Sequence, residues 1–386
     1  MNLSNCSEFG EYFTFSPSKS KPIYNWFYYK EAYSPECVDF FINRFKLESG
    51  LIVDPFCGIG TTLLYSKSNG FSSFGMDASE LAVFVSKIKC RDYSTNDIEN
   101  FKDTLKKFSI EIEKVIPSFK WNTEFFNPEK IFPKSSLNFI LRAREFISKI
   151  DDKKTHDLFL LALISIVSQS SLLIKDGGVL KFDKRKSAIP AKIAFRKKIK
   201  KMIVDLEDSP IKGRVPEIEL GDATKIKLKN ECTDAIITSP PYLNNIDYTK
   251  VYGIELSLLS LNINSVFDSR NRSIGSFHGG VKKLENVPIE VEEFGIKYPI
   301  IGSYFSDIEN VLKESFRILK TDSSAVFVVG NSIMHDHHIL VDELFCQIGE
   351  RIGFVESEII TSLKRNASFN RVKVETRESA VILKKK

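Results

Sequence analysis

The chain has no Cys-x-x-Cys pair, and its six cysteines, Cys6, Cys37, Cys57, Cys90, Cys232 and Cys346, are scattered. That spacing excludes a zinc ribbon or a disulfide framework and suits a reducing compartment. The first residues are polar and lack the basic-then-apolar order of a secretion signal, so a cytoplasmic location is expected. Long apolar runs are missing too. The most apolar stretch, Leu158 to Ile174, carries Ser165, Ser168, Gln169, Ser170 and Ser171 and reads as a buried helix, so no membrane partner is expected. No internal repeat is apparent. The Walker lysine is absent, and so is the third glycine of a dinucleotide fingerprint.

What is present is an ample core: 386 residues, 42% hydrophobic and 12% aromatic, with 31 phenylalanines. Such a length accommodates one large α/β domain with insertions, or two domains. The net charge of +5 is unevenly spread. Ten Lys or Arg face one acid between Lys181 and Lys201, so that stretch carries +9 and the remainder −4. Lys184, Arg185, Lys186, Arg196, Lys197, Lys198, Lys200 and Lys201 form either a solvated helix face or a phosphate-binding surface.

The stretch that organises the chain is Asp234 to Tyr242. Ala235 to Ile237 read as a short buried strand that must end at Pro240 and Pro241, because proline removes a backbone donor and restricts its predecessor. Ser239, the Pro240 carbonyl and the Tyr242 ring then stand at the carboxyl edge of a strand, where open α/β sheets bind ligands. A hydroxyl and a carbonyl can accept hydrogen bonds from an exocyclic amino group of a nucleobase, and an aromatic ring can stack on the base. An ordinary strand-ending turn is the plainer alternative.

A second strand end precedes it. Leu51 to Asp54 run into Pro55-Phe56-Cys57-Gly58-Ile59-Gly60, and a helix begins near Thr61 and Thr62. Glycines there let a ligand approach the backbone, beside helix N-terminal amides. The next strand, Ser72 to Met76, ends at Asp77 and Ala78; an acid 23 residues after Asp54 suits ribose hydroxyls. Another strand, Glu217 to Leu220, ends at Gly221-Asp222-Ala223, where Asp222 is either a turn aspartate or an acceptor for an adenine amino group. Ahead of all of these lies an aromatic arm containing Trp26 and Tyr28, followed by Ser34 and Pro35 at the start of a helix. It reads as a hydrophobic lid, a wall of the cofactor pocket, or both.

Three expected blocks follow. Residues 1–91 hold the arm and the first half of a catalytic domain, 92–215 a mainly helical insertion, and 216–386 the second half. An irregular loop at 262–299 carries Arg270 and Arg272, a base- or phosphate-contacting segment or a mobile one. His335, His337 and His338 are close together, but the chemistry considered needs no metal, and none is expected.

Together, Asp54 to Thr62, Asp77, Gly221-Asp222-Ala223 and Ser239-Pro240-Pro241-Tyr242 resemble the ordered motifs of S-adenosylmethionine-dependent amino-methyltransferases acting on DNA. The resemblance covers most of the chain outside 92–215. It implies a Rossmann-like class I methyltransferase sheet with helices on both faces. It also implies S-adenosylmethionine as cofactor, held by Asp54, Pro55, Phe56, Gly58, Gly60, Thr61, Thr62, Asp77, Ala78, Asp222 and Ala223 and covered by Trp26, Tyr28, Ser34 and Pro35. Ser239, Pro240, Pro241 and Tyr242 would hold a flipped base of double-stranded DNA. Serine at the first motif position favours N4 of cytosine, with N6 of adenine as the alternative. A cognate restriction endonuclease is the expected partner. A tRNA guanine methyltransferase and a non-catalytic DNA-binding subunit are the further readings. Against the former, the stretch ahead of the cofactor loop is too short for the separate RNA-binding domain that such enzymes usually carry.

Overall fold

A computed structural model describes residues 2–5, 7–118, 121, 126–176, 178–260, 264–277, 280–281, 287–335, 337–369 and 372–386. After β1 (Asn2–Asn5) and a series of 3-10 turns to Trp26, α1 (Pro35–Arg44) begins with Pro35, whose fixed φ suits a first helical turn. Two βα units follow: β2 (Leu51–Asp54) with α2 (Thr61–Ser68), then β3 (Ser72–Asp77) with α3 (Glu80–Cys90). The chain next passes through α4 (Thr95–Glu111), α5 (Pro128–Ile131), α6 (Lys134–Ser148) and α7 (Lys153–Ser170). A hairpin of β4 (Leu173–Asp176) and β5 (Val179–Phe182) leads to α8 (Ala191–Asp208). The sheet resumes with β6 (Glu217–Leu220) and β7 (Thr233–Thr238).

Beyond the two prolines come α9 (Tyr248–Val251), α10 (Gly253–Ser260), α11 (Asn264–Arg272), α12 (Glu292–Lys297) and α13 (Pro299–Ile318). The chain ends through β8 (Leu319–Gly330), the small hairpin β9 (Ser332–Met334) and β10 (His337–Ile339), α14 (Val341–Ile352), β11 (Glu356–Phe369) and β12 (Val372–Lys384).

The strand order is β1-β11-β12-β8-β7-β2-β3-β6. All neighbours are parallel except at β12, which runs opposite to both β8 and β11. This is the expected Rossmann-like α/β sheet. β2 and β7 are adjacent at its centre, so the Gly-x-Gly turn and the Ser-Pro-Pro-Tyr turn leave the same edge side by side, at the point where strand order reverses. Fully buried Val53, Ile236, Val311, Leu312 and Phe345 pack α13 and α14 on one face; Val38, Phe41, Ile52 and Ile237 pack α1 on the other. α7, apolar and buried almost all round from Leu158 to Val167, is the centre of a separate cluster with α3, α6, α8 and α10.

Three local expectations change. The apolar stretch 158–174 is not one helix: it stops at Ser170 because Lys186 donates to the carbonyls of Ser168 (2.7 Å) and Leu173 (2.5 Å), and Leu173–Asp176 pairs as β4 instead. The 262–299 segment contains helices α11 and α12, while part of it, residues 262–263, 278–279 and 282–286, lies outside the described residues. The last two strands, expected from the apolar pattern over Phe354 to Thr361 and Ser379 to Leu383, are longer, since Leu363 to Phe369 and Val372 to Glu378 go on pairing with each other.

Candidate active site

The carboxyl edges of β2, β3, β6 and β7 converge on a cavity of about 460 Å³, within the usual range for small-ligand sites. At the end of β2 the chain reverses through Gly58 (φ +49°) and Gly60 (φ +79°), a left-handed backbone that side chains disfavour. At Gly60 a Cβ would also lie 3.0 Å from Ser86. Asp77 fixes this turn: Oδ2 accepts from the Gly58 amide at 2.9 Å and Oδ1 from the Ser79 amide at 2.8 Å. Asp77 lines the cavity, and its removal from bulk water raises its pKa to about 6 against the pull of those amides.

Of the residues expected on the cofactor side, Tyr28, Asp54, Pro55, Phe56, Gly58, Thr61, Asp77, Ala78 and Ala223 line the cavity. Gly60 and Thr62 support the turn and α2 from behind. Asp222 is set off the wall, its Oδ1 accepting from the Thr224 amide (2.9 Å) and hydroxyl (2.8 Å), while Gly221 and Ala223 form the wall itself. Trp26 is displaced furthest from its expected place. It is fully buried and donates from Nε1 to Asp205 of α8 at 2.9 Å, so it anchors the arm rather than facing a ligand. Ser34 and Pro35 are also buried behind the wall. Their neighbour Tyr33 takes the place expected of them.

Tyr33 belongs to a buried knot that sequence reading missed. Its hydroxyl lies 3.0 Å from Asp54 Oδ2, 2.5 Å from Thr62 Oγ1 and 3.2 Å from the Ile237 carbonyl. Thr238, the residue before Ser239, donates to Asp54 Oδ1 at 2.6 Å. Arm, glycine turn, α2 and the Ser-Pro-Pro-Tyr strand are thereby tied at one carboxylate. Burial raises the Asp54 pKa to about 6, and the hydroxyls of Thr238, Thr62 and Tyr33 and the Phe56 amide oppose the rise. The arm also supplies Tyr29, stacked on Tyr252 with centroids 4.6 Å apart, and Glu31, which accepts from the Tyr252 hydroxyl at 2.6 Å.

Ser239, Pro240, Pro241 and Tyr242 all line the same cavity. The Ser239 hydroxyl donates to the Val328 carbonyl at 2.9 Å. Tyr242 donates to Glu378 Oε1 of β12 at 2.7 Å, and its ring rests on Gly330, where a Cβ would lie only 2.9 Å away. A hydroxyl has one proton to give. With both protons committed to the sheet, what these two oxygens can offer a ligand is lone pairs. Four carboxylates, Glu31, Asp54, Asp77 and Glu378, line the cavity together with Lys19, Lys30 and Arg272, so it offers partners to both cationic and anionic groups of a ligand.

The expected basic surface is not one face. Lys186 is engaged by main-chain carbonyls, and Lys198 turns inward to the carbonyls of Asn25 (3.2 Å) and Trp26 (3.1 Å), where burial lowers its pKa to about 8. Lys201 pairs with Asp205 at 3.2 Å and Arg185 with Asp183 at 3.2 Å. Lys184, Arg196, Lys197 and Lys200 are exposed. Arg270 is bound to Asp247 (2.8 Å) and Thr249 (3.1 Å), which ties down the segment after the Ser-Pro-Pro-Tyr turn; Arg272 lines the cavity near Ala78.

His335 stacks on Tyr298 at 4.4 Å, and among the described residues no group of three or more His, Cys, Asp or Glu is placed to hold a metal. Nor, among them, is any helix long and apolar enough to cross a membrane.

No protein-family model matches the chain. It is related, however, to Type II methyltransferases over nine-tenths of its length. It is 26% identical to Type II methyltransferase M.BsoBI of Geobacillus stearothermophilus over 432 aligned residues, covering 92% of this chain and 83% of that one. Against Type II methyltransferase M.AvaI of Nostoc sp. the identity is 27%, covering 90% and 82%. Type II methyltransferase M.MjaII of Methanocaldococcus jannaschii matches at 29% over a shorter stretch, 29% of this chain and 23% of that one.

Proposed function

We propose that the chain is an S-adenosylmethionine-dependent DNA methyltransferase of a restriction–modification system, acting on the exocyclic N4 amino group of cytosine in duplex DNA. The observation that carries this reading is the acceptor-only strand end. Ser239 and Tyr242 have given their protons to Val328 and Glu378, so the site favours a ligand group that donates hydrogen bonds. An amino group does; the carbonyl of thymine does not.

The residues present fit the cofactor. The carboxylate-lined wall suits a cationic sulfonium and ammonium, and the glycine turn at Gly58 lets a ligand lie against bare backbone. Asp77 retains lone pairs for ribose hydroxyls, while Gly221 and Ala223 would flank the adenine and Tyr28, Tyr29 and Tyr33 the arm side. When bound, S-adenosylmethionine supplies an electrophilic methyl group.

The protein's part is positioning. Ser239 and the Pro240 carbonyl would accept the two amino protons, drawing the nitrogen lone pair out of conjugation with the ring. Tyr242, its ring braced on Gly330 and its hydroxyl on Glu378, would stack on the base. The target must leave the helix to reach this depth, at a cost that stacking and phosphate contacts offset. Alignment within one cavity contributes the remainder. Cys57, whose thiol burial pushes well up, has no nucleophilic part.

The likeness to Type II methyltransferases supports methyl transfer; duplex DNA as substrate, a modification role, a cytoplasmic location and a cognate endonuclease are part of the proposal. The same acceptors would fit N6 of adenine, and the test separates the two. Unmethylated DNA is incubated with protein and S-adenosylmethionine, digested to nucleosides and analysed by mass spectrometry. N4-methylcytosine is expected. N6-methyladenine would correct the base, and no methylated base despite measured cofactor binding would overturn the DNA reading in favour of tRNA or a non-catalytic role.

A further inference from the structure

Arg270 and Arg272 both belong to α11, and their settings differ. Arg270 is bound within the protein, to Asp247 and Thr249. Arg272 is turned to the cavity, which it lines with Ser269, Ser273 and Ile274. Among the described residues its guanidinium has one acceptor, the Ala78 carbonyl, at a long 3.4 Å from Nη2. Its Nε is closed off from solvent and has no partner there. Lys19 and Lys30, the other cations lining the cavity among the described residues, are exposed. Buried N–H groups are nearly always paired, because leaving one unpaired is costly. A guanidinium has donors only, so this one calls for a ligand that presents an acceptor.

The place of Arg272 along the sheet narrows the choice of acceptor. Ser269, one helical turn earlier, donates to the same Ala78 carbonyl at 3.1 Å and fixes α11 on the end of β3. β3 pairs with β6, Asp77 opposite Leu220, and the Gly221 amide donates to the Asp77 carbonyl at 3.0 Å. Ala78 and Gly221 therefore come next along the same edge, just beyond the carboxylate suited to a ribose. β2 stands between β3 and β7, so Arg272 is docked on the far side of the glycine turn from Ser239. What remains to be held there is the base of a nucleoside. Adenine accepts at N1, N3 and N7 and donates from its amino group, so a donor-only side chain selects the ring nitrogens.

We propose that Arg272 is a cofactor-binding residue whose guanidinium donates to a ring nitrogen of the adenine of S-adenosylmethionine. It selects the nucleoside and makes no contact with DNA, in place of the base- or phosphate-contacting role expected of its segment. The proposal rests on the cofactor reading above.

The test is calorimetric binding to the full-length chain without DNA. The ligands are S-adenosylhomocysteine, which keeps the adenosine and cannot transfer a methyl group, and its 1-deaza, 3-deaza and 7-deaza analogues, each with C–H in place of one ring nitrogen. Wild type must bind the parent ligand; if it binds none of the set, the cofactor reading fails and takes this proposal with it. Wild type should bind one analogue about tenfold more weakly than the parent, since a buried guanidinium donor then loses its acceptor. Arg272→Met, which keeps the apolar stem, should bind the parent about tenfold more weakly than wild type does and bind that analogue no worse than the parent. Blindness to one missing nitrogen is a signature that a merely structural loss does not produce. Arg272→Lys should recover part of the affinity for the parent. The proposal is overturned if Arg272→Met binds the parent as wild type does, or if each analogue carries the same penalty in both proteins. A loss of DNA affinity in Arg272→Met with cofactor affinity intact would also overturn it and return Arg272 to the nucleic acid.

Discussion

Removing one oxygen atom from the buried knot tests how the arm and the strand that leads to Ser239 are joined. Tyr33→Phe deletes the hydroxyl that meets Asp54, Thr62 and the Ile237 carbonyl, and leaves the ring in place. The effect should depend on pH. Burial places the Asp54 pKa at about 6 in the folded protein, above its ordinary 3.8. A raised acid binds its proton more tightly when folded, so its contribution to stability is greatest below about 4 and declines as pH rises to about 6. Above that the carboxylate is ionised and leans on its hydroxyl donors.

At pH 8 the deleted bond is to a charged group, worth roughly 1.5–3 kcal/mol; at pH 5 it is to a largely neutral acid, worth about 1 kcal/mol. A chain of this size shifts its melting temperature by roughly 1–3 °C per kcal/mol. Tyr33→Phe should therefore lower Tm by roughly 2–9 °C at pH 8 and by about a third to two-thirds as much at pH 5. Asp77 titrates in the same range, but it is common to both proteins and cancels in the difference. Thermal melts of the two proteins at both pH values measure it. A loss that is equal at pH 5 and pH 8, or larger at pH 5, would refute the account of Asp54 as an ionised, hydroxyl-supported hub.

Ser239→Ala should abolish methyl transfer while leaving S-adenosylmethionine affinity unchanged by calorimetry, since it removes an acceptor for the amino group and nothing that holds the cofactor; retained turnover would sink that assignment. Asp77→Asn should weaken cofactor binding by about tenfold near pH 8, and wild-type affinity should fall as pH drops through about 6, where Asp77 becomes protonated; pH-independent binding would remove Asp77 from the cofactor's partners. Neutralising exposed Arg196, Lys197 and Lys200 should reduce the slope of log K against log salt by roughly 0.9 for each phosphate that is no longer neutralised. Lys198→Ala should instead lower stability, because its ammonium holds the Asn25 and Trp26 carbonyls; a salt-slope change with unaltered melting would reverse that division.

The parts of the site legible in the sequence are those where the backbone must do something particular. A strand that meets two prolines has to stop, and a Gly-x-Gly turn before Thr61 has to bend through positive φ. Asp54, Gly58, Asp77, Ser239 and Tyr242 were all visible for this reason, together with the α/β alternation that carries them. Residues that reach the cavity by packing alone were not. Tyr33 is one tyrosine in an aromatic arm, and nothing local says that it, rather than Trp26, faces inward. The difference arises from Asp205, 179 positions away, which captures the indole of Trp26. The basic stretch misled for a related reason: its charge density is readable, but the long methylene stems of Lys186 and Lys198 let their ammonium groups fold back onto carbonyls of the protein itself.

Glu378 shows how topology completes the chemistry. In a wholly parallel sheet, every strand would bring its carboxyl end to the ligand edge, and a residue midway along a strand would lie well below it. β12 runs the other way. Its pairing with β8 begins at Glu378 opposite Gly330 and descends to Lys384 opposite Ser324, so Glu378 stands level with the end of β8, beside the turn that carries Tyr242. The small residue at Gly330 then leaves room for the Tyr242 ring, and the carboxylate takes the phenolic proton in its hydrogen bond. One reversed strand thus supplies the acceptor that turns Tyr242, like Ser239 beside it, into a group able to receive a hydrogen bond but not to give one. If that account holds, Glu378→Gln, which can bond to the phenol through either end of its amide, should relax discrimination for an amino-bearing base while preserving the fold. Glu378→Ala should cost more in kcat than in KM. Equal losses in both variants, with discrimination intact, would reduce Glu378 to a structural partner of Tyr242.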